Sequence, residues 1–361
     1  MPEVPEGRQN AWWAVAGPVP LPEPSGWLTV PHDRTRVLDR KYSIGPMSVR
    51  PGGKRLAEYL ALEPLALQGT TCFESWPILV EGPWDETQTP GSSASRAELL
   101  ESQRRWVASE RQIARDVRTL CALLAVAWNE AWQVRTAPTQ TSRLPPSVPD
   151  PRPPPPDWFG DDEDLPSHPE PLPPWVAAAW PRLEQDSTLL AALLSWHEGL
   201  LLAPSHPSFA HVAFVGAIEA LSHSEPFASA MPSHDAPCSA CGRSKSVSSQ
   251  RFWAMADQVA TPEQAADLRQ WEVLHKRGAT AHGGGLHGIE EIYGAVLLLD
   301  FVPPLEGGNT GRFQFNPSDR IASFTVKVVP AVRGVARQLL LIALGAEARP
   351  ATPTASARNP Q

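Results

Sequence analysis

Cysteine is scarce in this chain: there are four in 361 residues, and Cys72 and Cys121 stand far from the others. So few thiols cannot staple a protein of this size, so the fold must rest on its own apolar core, and a reducing compartment suits it. Positive charge is also in short supply. Lys and Arg number 31 against 39 Asp and Glu, a formal net charge of −8. That excludes tight nonspecific binding of nucleic acid through the whole surface and leaves only a local basic patch for such a partner. Apolar runs such as 295–301 or 339–344 fall far short of the roughly 20 residues that a bilayer-spanning helix needs. The first residues, Met1-Pro2-Glu3-Val4-Pro5-Glu6, offer neither the basic start nor the apolar stretch of a secretory signal. The expectation is a cytoplasmic protein that makes no use of a membrane. Gly307-Gly308 and Gly311 lack the Gly-Lys-Ser/Thr ending of a phosphate loop, so no nucleotide motif is present. There is no internal repeat.

What the chain does have is 41 Pro, 14 Trp and 42% hydrophobic residues, enough for real cores interrupted by segments that cannot pack. Residues 1–90 alternate short runs such as Trp12-Trp13-Ala14-Val15, Gly26-Trp27-Leu28-Thr29-Val30 and Trp76-Pro77-Ile78-Leu79-Val80 with Gly and Pro turn signals, and they read as a β-rich N-terminal region. Arg34, Arg36, Arg40, Lys41 and Arg50 lie among these aromatics. The mixture could make a stacking platform for single-stranded RNA or a surface for a protein partner, but tryptophans in such runs more often form the core of a small β-structure, which is the expectation here. Ser95-x-x-Glu98 is a capping box, and Leu99, Trp106, Ile113, Val117, Leu120, Leu124 and Trp128 continue it as one long buried helix over 95–135. Residues 136–174, with a polyproline run at 153–156 and the acidic Asp161-Asp162-Glu163-Asp164, read as a linker or surface loop. Helical patterns fill 175–346, and 347–361 reads as a disordered tail. The fold class is therefore α+β, with a mainly α-helical C-terminal bundle.

One stretch of that bundle carries residues fit for chemistry. A helical pattern over 263–281 runs through Leu268, Trp271, Val273 and Leu274 to Arg277 and His282, then into Gly283, Gly284 and Gly285. The glycines suit a helix C-terminus, where a left-handed residue costs Gly nothing. Five residues correspond to about 500° of helical rotation, so Arg277 and His282 point roughly 140° apart, and a site using both needs a bend or a second chain. Upstream, Glu219 lies among Val215, Ile218 and Leu221. A half-buried carboxylate there requires a partner, for which Arg277 is the natural candidate. Arg243, Lys245, Arg251, Arg269 and Lys276 gather near the same stretch as a local basic patch.

The R-x4-H spacing before glycines, with Ala217-Ile218-Glu219-Ala220-Leu221 and Arg251-Phe252 upstream, resembles the HEPN superfamily over residues 205–300. The intervening Cys238-x-x-Cys241 is similar to its Apea-like branch. The resemblance implies a helical bundle that forms a homodimer. It also implies a metal-independent endoribonuclease linked to defence or stress, in which Arg277 steadies the phosphate, His282 moves protons and Glu219 orients the arginine. Gly278 departs from the pattern, because nuclease members usually carry Asn, Asp or His there. The same residues also fit a noncatalytic interaction module, with Arg277, Glu219 and His282 holding a helix junction or a dimer interface. Independently of that family, Cys238, Cys241 and His234, with His223 as one candidate fourth ligand, have the donor types of a structural zinc site, against reduced thiols in a polar loop.

Overall fold

The computed structural model describes residues 11–19, 36–52, 75, 77–83, 95–140, 169–231, 247–288, 290–293 and 320–347. The architecture is α+β: an antiparallel five-stranded sheet near the N-terminus, then a mainly helical region. Chain contacts divide it into two compact units, Met1–Trp180 and Pro181–Gln361.

In the first unit, β1 (Ala11–Pro18), β3 (Tyr42–Ile44), β4 (Met47–Pro51), β5 (Ile78–Pro83) and β6 (Trp132–Gln140) form the sheet in the order β3-β4-β5-β1-β6. Successive strand residues face opposite sides, so the burial of Trp12, Trp13, Ala14, Val15 and Ala16 in a row means that β1 is covered on both faces. The helix α1 (Arg96–Trp128) packs on β1 and β6. It begins at the expected capping box: Ser95 Oγ accepts from Glu98 N at 3.3 Å, and Glu98 Oε2 accepts from Ser95 N at 2.6 Å. From Arg96 to Gln112 it buries nothing; burial starts at Ile113 and takes in every residue from Thr119 to Val126. Cys121 lies in that buried part as a free thiol, and burial pushes it up to about 12, so it behaves as an inert core residue. The short strands β2 (Val37–Leu38) and β7 (Pro169–Glu170) pair in parallel.

The second unit contains α3 (Ser187–Leu202) and α4 (Pro207–Leu221), joined by residues 203–206, while α2 (Pro174–Gln185) spans the boundary between the units. Gly199 lets α3 and α4 close together, because a Cβ there would lie 2.5 Å from the Phe214 ring. Phe214 and Trp196 are both fully buried, with ring centroids 6.4 Å apart, and burial of each such side chain contributes about 1.5–3 kcal/mol. The chain continues through α5 (Val247–Val259), α6 (Pro262–Gln270), α7 (Val273–Gly283), the short α8 (Glu290–Tyr293) and α9 (Arg320–Ser323), a π-helical turn at Phe324–Val328, and α10 (Val329–Ala343). The last of these packs on α4 and α3, and Trp196 Nε1 donates to the Arg333 carbonyl at 3.2 Å.

The structure differs from the sequence expectation in five places. The helix over 95–135 stops at Trp128, where Asn129 takes a left-handed backbone (φ 55). Residues 132–140 then pair with β1 as a sheet strand instead of continuing into a linker. Residues 169–170 likewise pair, with β2. Within the helical stretch expected from 175, residues 175–202 form two helices, because the Asp186 carboxylate caps a fresh start by accepting from Thr188 N and Leu189 N, both at 2.9 Å. The pattern over 263–281 is also two helices, broken at Trp271 and Glu272, the latter left-handed at φ 54. The runs at 26–30, 141–168 and 305–315 and the tail at 350–361 lie outside the described residues.

Candidate functional site

The second unit brings Glu219 and Arg277 together. On α4, Phe214, Val215, Ile218 and Leu221 turn inward and are fully buried, which leaves Glu219 at the edge of the packed face with its side chain 18% exposed. Arg277 Nη2, on α7, donates to Glu219 Oε2 at 2.6 Å. Ser248 Oγ, on the first turn of α5, donates to Glu219 Oε1 at 2.7 Å. Both carboxylate oxygens are therefore engaged. The guanidinium is bound through one nitrogen only, and its Nε is buried with no partner among the described residues.

The position of Arg277 is set from the base of α7. His211, fully buried on α4, has its Nε2 3.0 Å from the carbonyl of Val273, the first residue of α7. That bond requires the tautomer with its proton on Nε2. Burial, with smaller contributions from His287 and Lys276, pushes the His211 imidazole down to about 4 against the opposing effect of the Val273 bond. Burial also lowers His287 and Lys276 from their ordinary values. The segment after α7 is tied down by Ser208, whose Oγ accepts from His287 N at 2.8 Å and Gly288 N at 3.3 Å. Glu290 Oε1 in turn accepts from Ser208 N at 2.7 Å in the first turn of α4. This end of the unit is a fixed platform on which Arg277 stands one helical turn up.

His282 is placed differently. Helix α7 ends with Gly284 in the left-handed region (φ 66), its N–H reaching Thr280 O at 3.1 Å. His282 is exposed in the last turn and has no hydrogen-bond partner among the described residues. It shares no contact with Arg277 or Glu219. The break at Trp271 and Glu272 lies before both residues, so it does not turn one toward the other. Gly278 is open: a Cβ there would meet nothing within 4 Å, so packing does not force glycine where a polar side chain was expected.

Cys238, Cys241 and His234 lie outside the described residues, as do Arg243 and Lys245. His223, the candidate fourth zinc ligand, instead stands with Arg251 Nη1 2.8 Å from its Nδ1 and 2.9 Å from its Nε2. A guanidinium so close occupies the side of the ring that a metal would need. Among the described residues no group of three or more His, Cys, Asp or Glu is placed to hold a metal ion, and no helix is long and apolar enough to cross a membrane. Arg269, from the basic patch, is paired with Asp257 at 2.8 Å and lies 4.5 Å over the Trp253 ring.

Of the other members of this junction, Arg251 is expected from sequence in a basic patch near this stretch and His223 as a candidate zinc ligand; Ser248 is not singled out. The available signal for Ser248 was spacing: Ser248 and Arg251 are three apart, which puts them on one side of α5, while His223 lies in the turn just after α4. Comparisons of the chain with protein-family models, with curated proteins and with solved structures find no match.

Proposed function

We propose that the second unit is a HEPN-like helical module that pairs with another copy of itself to cleave RNA without a metal. Each copy contributes Arg277, oriented by Glu219, and His282 to one composite cleft. The observation that carries this reading is the single 2.6 Å bond from Arg277 Nη2 to Glu219 Oε2, which fixes the guanidinium yet leaves donors for a phosphate. In the reaction the ribose 2′-oxygen bonds to the adjacent phosphorus and the bond to the 5′-oxygen breaks. Imidazole takes the 2′-hydroxyl proton and a proton is delivered to the leaving oxygen, while guanidinium stabilises the charge that builds on phosphate. Because His282 lies roughly 140° around α7 from Arg277, the histidine that meets a given arginine comes from the other copy.

Gly278 favours a second reading: a noncatalytic HEPN-like module in which the same residues hold a helix junction or a dimer interface. The two separate in an RNA-cleavage assay in EDTA. The nuclease reading expects the parent to cleave and Arg277→Ala and His282→Ala each to lose about a hundredfold or more. A folded dimeric parent that leaves varied RNAs intact, or variants as fast as the parent, would leave only the noncatalytic module.

A further inference from the structure

Helix α1 is covered along only part of its length. Burial begins at Ile113, where the helix packs on the sheet, and no residue from Arg96 to Gln112 is buried. The apolar pattern does not stop where the cover does. At seven-residue intervals Leu99 and Trp106 continue the column that Ile113 and Leu120 form in the buried half, and Leu100 and Val107 run beside them. Leu99 is 49% exposed and Leu100 50%, while Trp106 and Val107 are partly exposed. An apolar helix face left to water marks a docking surface. With Gln103 as its centre, helical geometry puts those four side chains within about 60° of the midline, and Arg96 and Glu110 within about 20° at the two ends. Glu101 and Arg105 lie about 160° away on the back of the helix, where they pair with each other at 3.2 Å. Arg96 and Glu110 are exposed and have no ion-pair partner among the described residues.

We propose that this face pairs with the same face of a second copy of the chain, the two α1 helices running antiparallel about a two-fold axis at Gln103. The order of residues selects that occupant. Antiparallel pairing sets each residue a given number of places before Gln103 against the residue as many places after it in the other copy. Leu99 then meets Val107, Leu100 meets Trp106 and Arg96 meets Glu110, each contact occurring twice, as an interface between identical surfaces requires. Apolar falls on apolar, and at both ends positive falls on negative. A parallel pairing would instead set Arg96 on Arg96 and Glu110 on Glu110, which repel. Within one chain Arg96 and Glu110 stand about 21 Å apart along the helix, so they cannot neutralise each other there. Four turns of helix make a small interface, so the pairing is reversible and concentration-dependent. It does not rest on the nuclease reading or on the pairing proposed for the second unit, because every residue in it lies in the first.

The test traps the pair in the full chain at high protein concentration. Helices packed about 9–10 Å apart bring the two Cα atoms on the axis to about 5 Å, within the span of a disulfide. Under mild oxidation Gln103→Cys is expected to form a disulfide-linked dimer several-fold above the parent, whose four cysteines set the background. Arg105→Cys, on the back of α1, should stay at that background. Arg96→Glu or Glu110→Arg, added to Gln103→Cys, places like charges at both ends and should weaken pairing about tenfold. Both reversals together should restore it, which separates a contact between copies from a general effect of charge. No excess disulfide at position 103 overturns the interface, and a dimer mass by light scattering in that case assigns pairing to the second unit alone. If the introduced thiol then reacts with a maleimide as fast as that of Arg105→Cys, the face is open to a different protein; if it is protected, another segment of the same chain covers it. A disulfide whose yield ignores both charge reversals also overturns the proposal, because the antiparallel register puts those charges in contact.

Discussion

Arg36 in the N-terminal unit and Arg277 in the C-terminal unit both bond a glutamate oxygen at 2.6 Å, yet their surroundings differ. Arg36 Nε meets Glu170 on β7, and its Nη1 meets Ser75 Oγ at 2.9 Å. Ser75 donates in turn to Glu130 Oε2 at 2.6 Å, just past the end of α1. The Arg36 guanidinium also lies 5.2 Å over the Trp128 ring. Glu130 is only 6% exposed, and the network fastens β2, β7, residue 75 and the close of α1 to one another. Arg277, 30% exposed, meets Glu219 through one nitrogen and keeps a buried Nε without a partner among the described residues. The same ion pair is a fastener where its neighbours use up the donors, and a presented group where they do not.

The largest expected effect tests that distinction directly. Glu130→Ala removes one side of a buried charged network and should cost about 3–5 kcal/mol in denaturant unfolding. Glu219→Ala, at a pair still partly open to solvent, should cost less, about 1 kcal/mol. Equal costs would erase the contrast between fastener and presented group.

Acid sharpens the comparison, because the platform beneath Arg277 rests on His211. Its folded value of about 4 lies below the ordinary 6.5. The unfolded chain therefore takes up a proton that the folded chain refuses. Stability contributed by this site is complete above pH 6.5 and is lost as pH falls toward 4, by about 3 kcal/mol. His287, lowered in the same direction, adds to the loss. Unfolding followed between pH 7 and 4 should show the C-terminal unit weakening first, and His211→Asn should flatten its pH dependence. A pH-independent C-terminal transition contradicts a buried neutral His211.

A smaller effect concerns how α7 ends. Gly284→Ala forces a side chain into a left-handed backbone at φ 66 with open space around it, so the cost should be conformational only, about 1 kcal/mol by thermal unfolding. No loss would mean that the helix can end elsewhere without penalty, and then the position of His282 is not set by this cap.

Much of the architecture was legible because local chemistry and packing agree. The Ser95–Glu98 box starts α1, and the apolar runs at 12–15 and 78–80 are strands. The Glu219–Arg277 pair followed from one physical demand: a carboxylate on an apolar helix face needs a cation. β6 was not legible because the apolar spacing of α1 carries on past Trp128 into Trp132, while the stop depends on a left-handed Asn129. The break between α6 and α7 has no Gly or Pro to mark it, and Leu268, Val273 and Leu274 keep helical spacing through it. Ser248 and Arg251 join the site only because α5 folds back on α4, which no local pattern records. The cysteine pair at 238 and 241 stays an expectation from spacing; zinc at about one equivalent in protein purified under reducing conditions is the outcome that spacing predicts, and none contradicts it.

The composite cleft is tested most directly by mixing two inactive chains. Arg277→Ala and His282→Ala proteins are unfolded together, refolded as mixed dimers and assayed for RNA cleavage in EDTA. If arginine and histidine meet across the dimer, each variant alone is inactive and the mixture recovers a readily measured fraction of parental cleavage. A mixture as inactive as its components, formed from dimers shown to have exchanged, contradicts a site built from two copies.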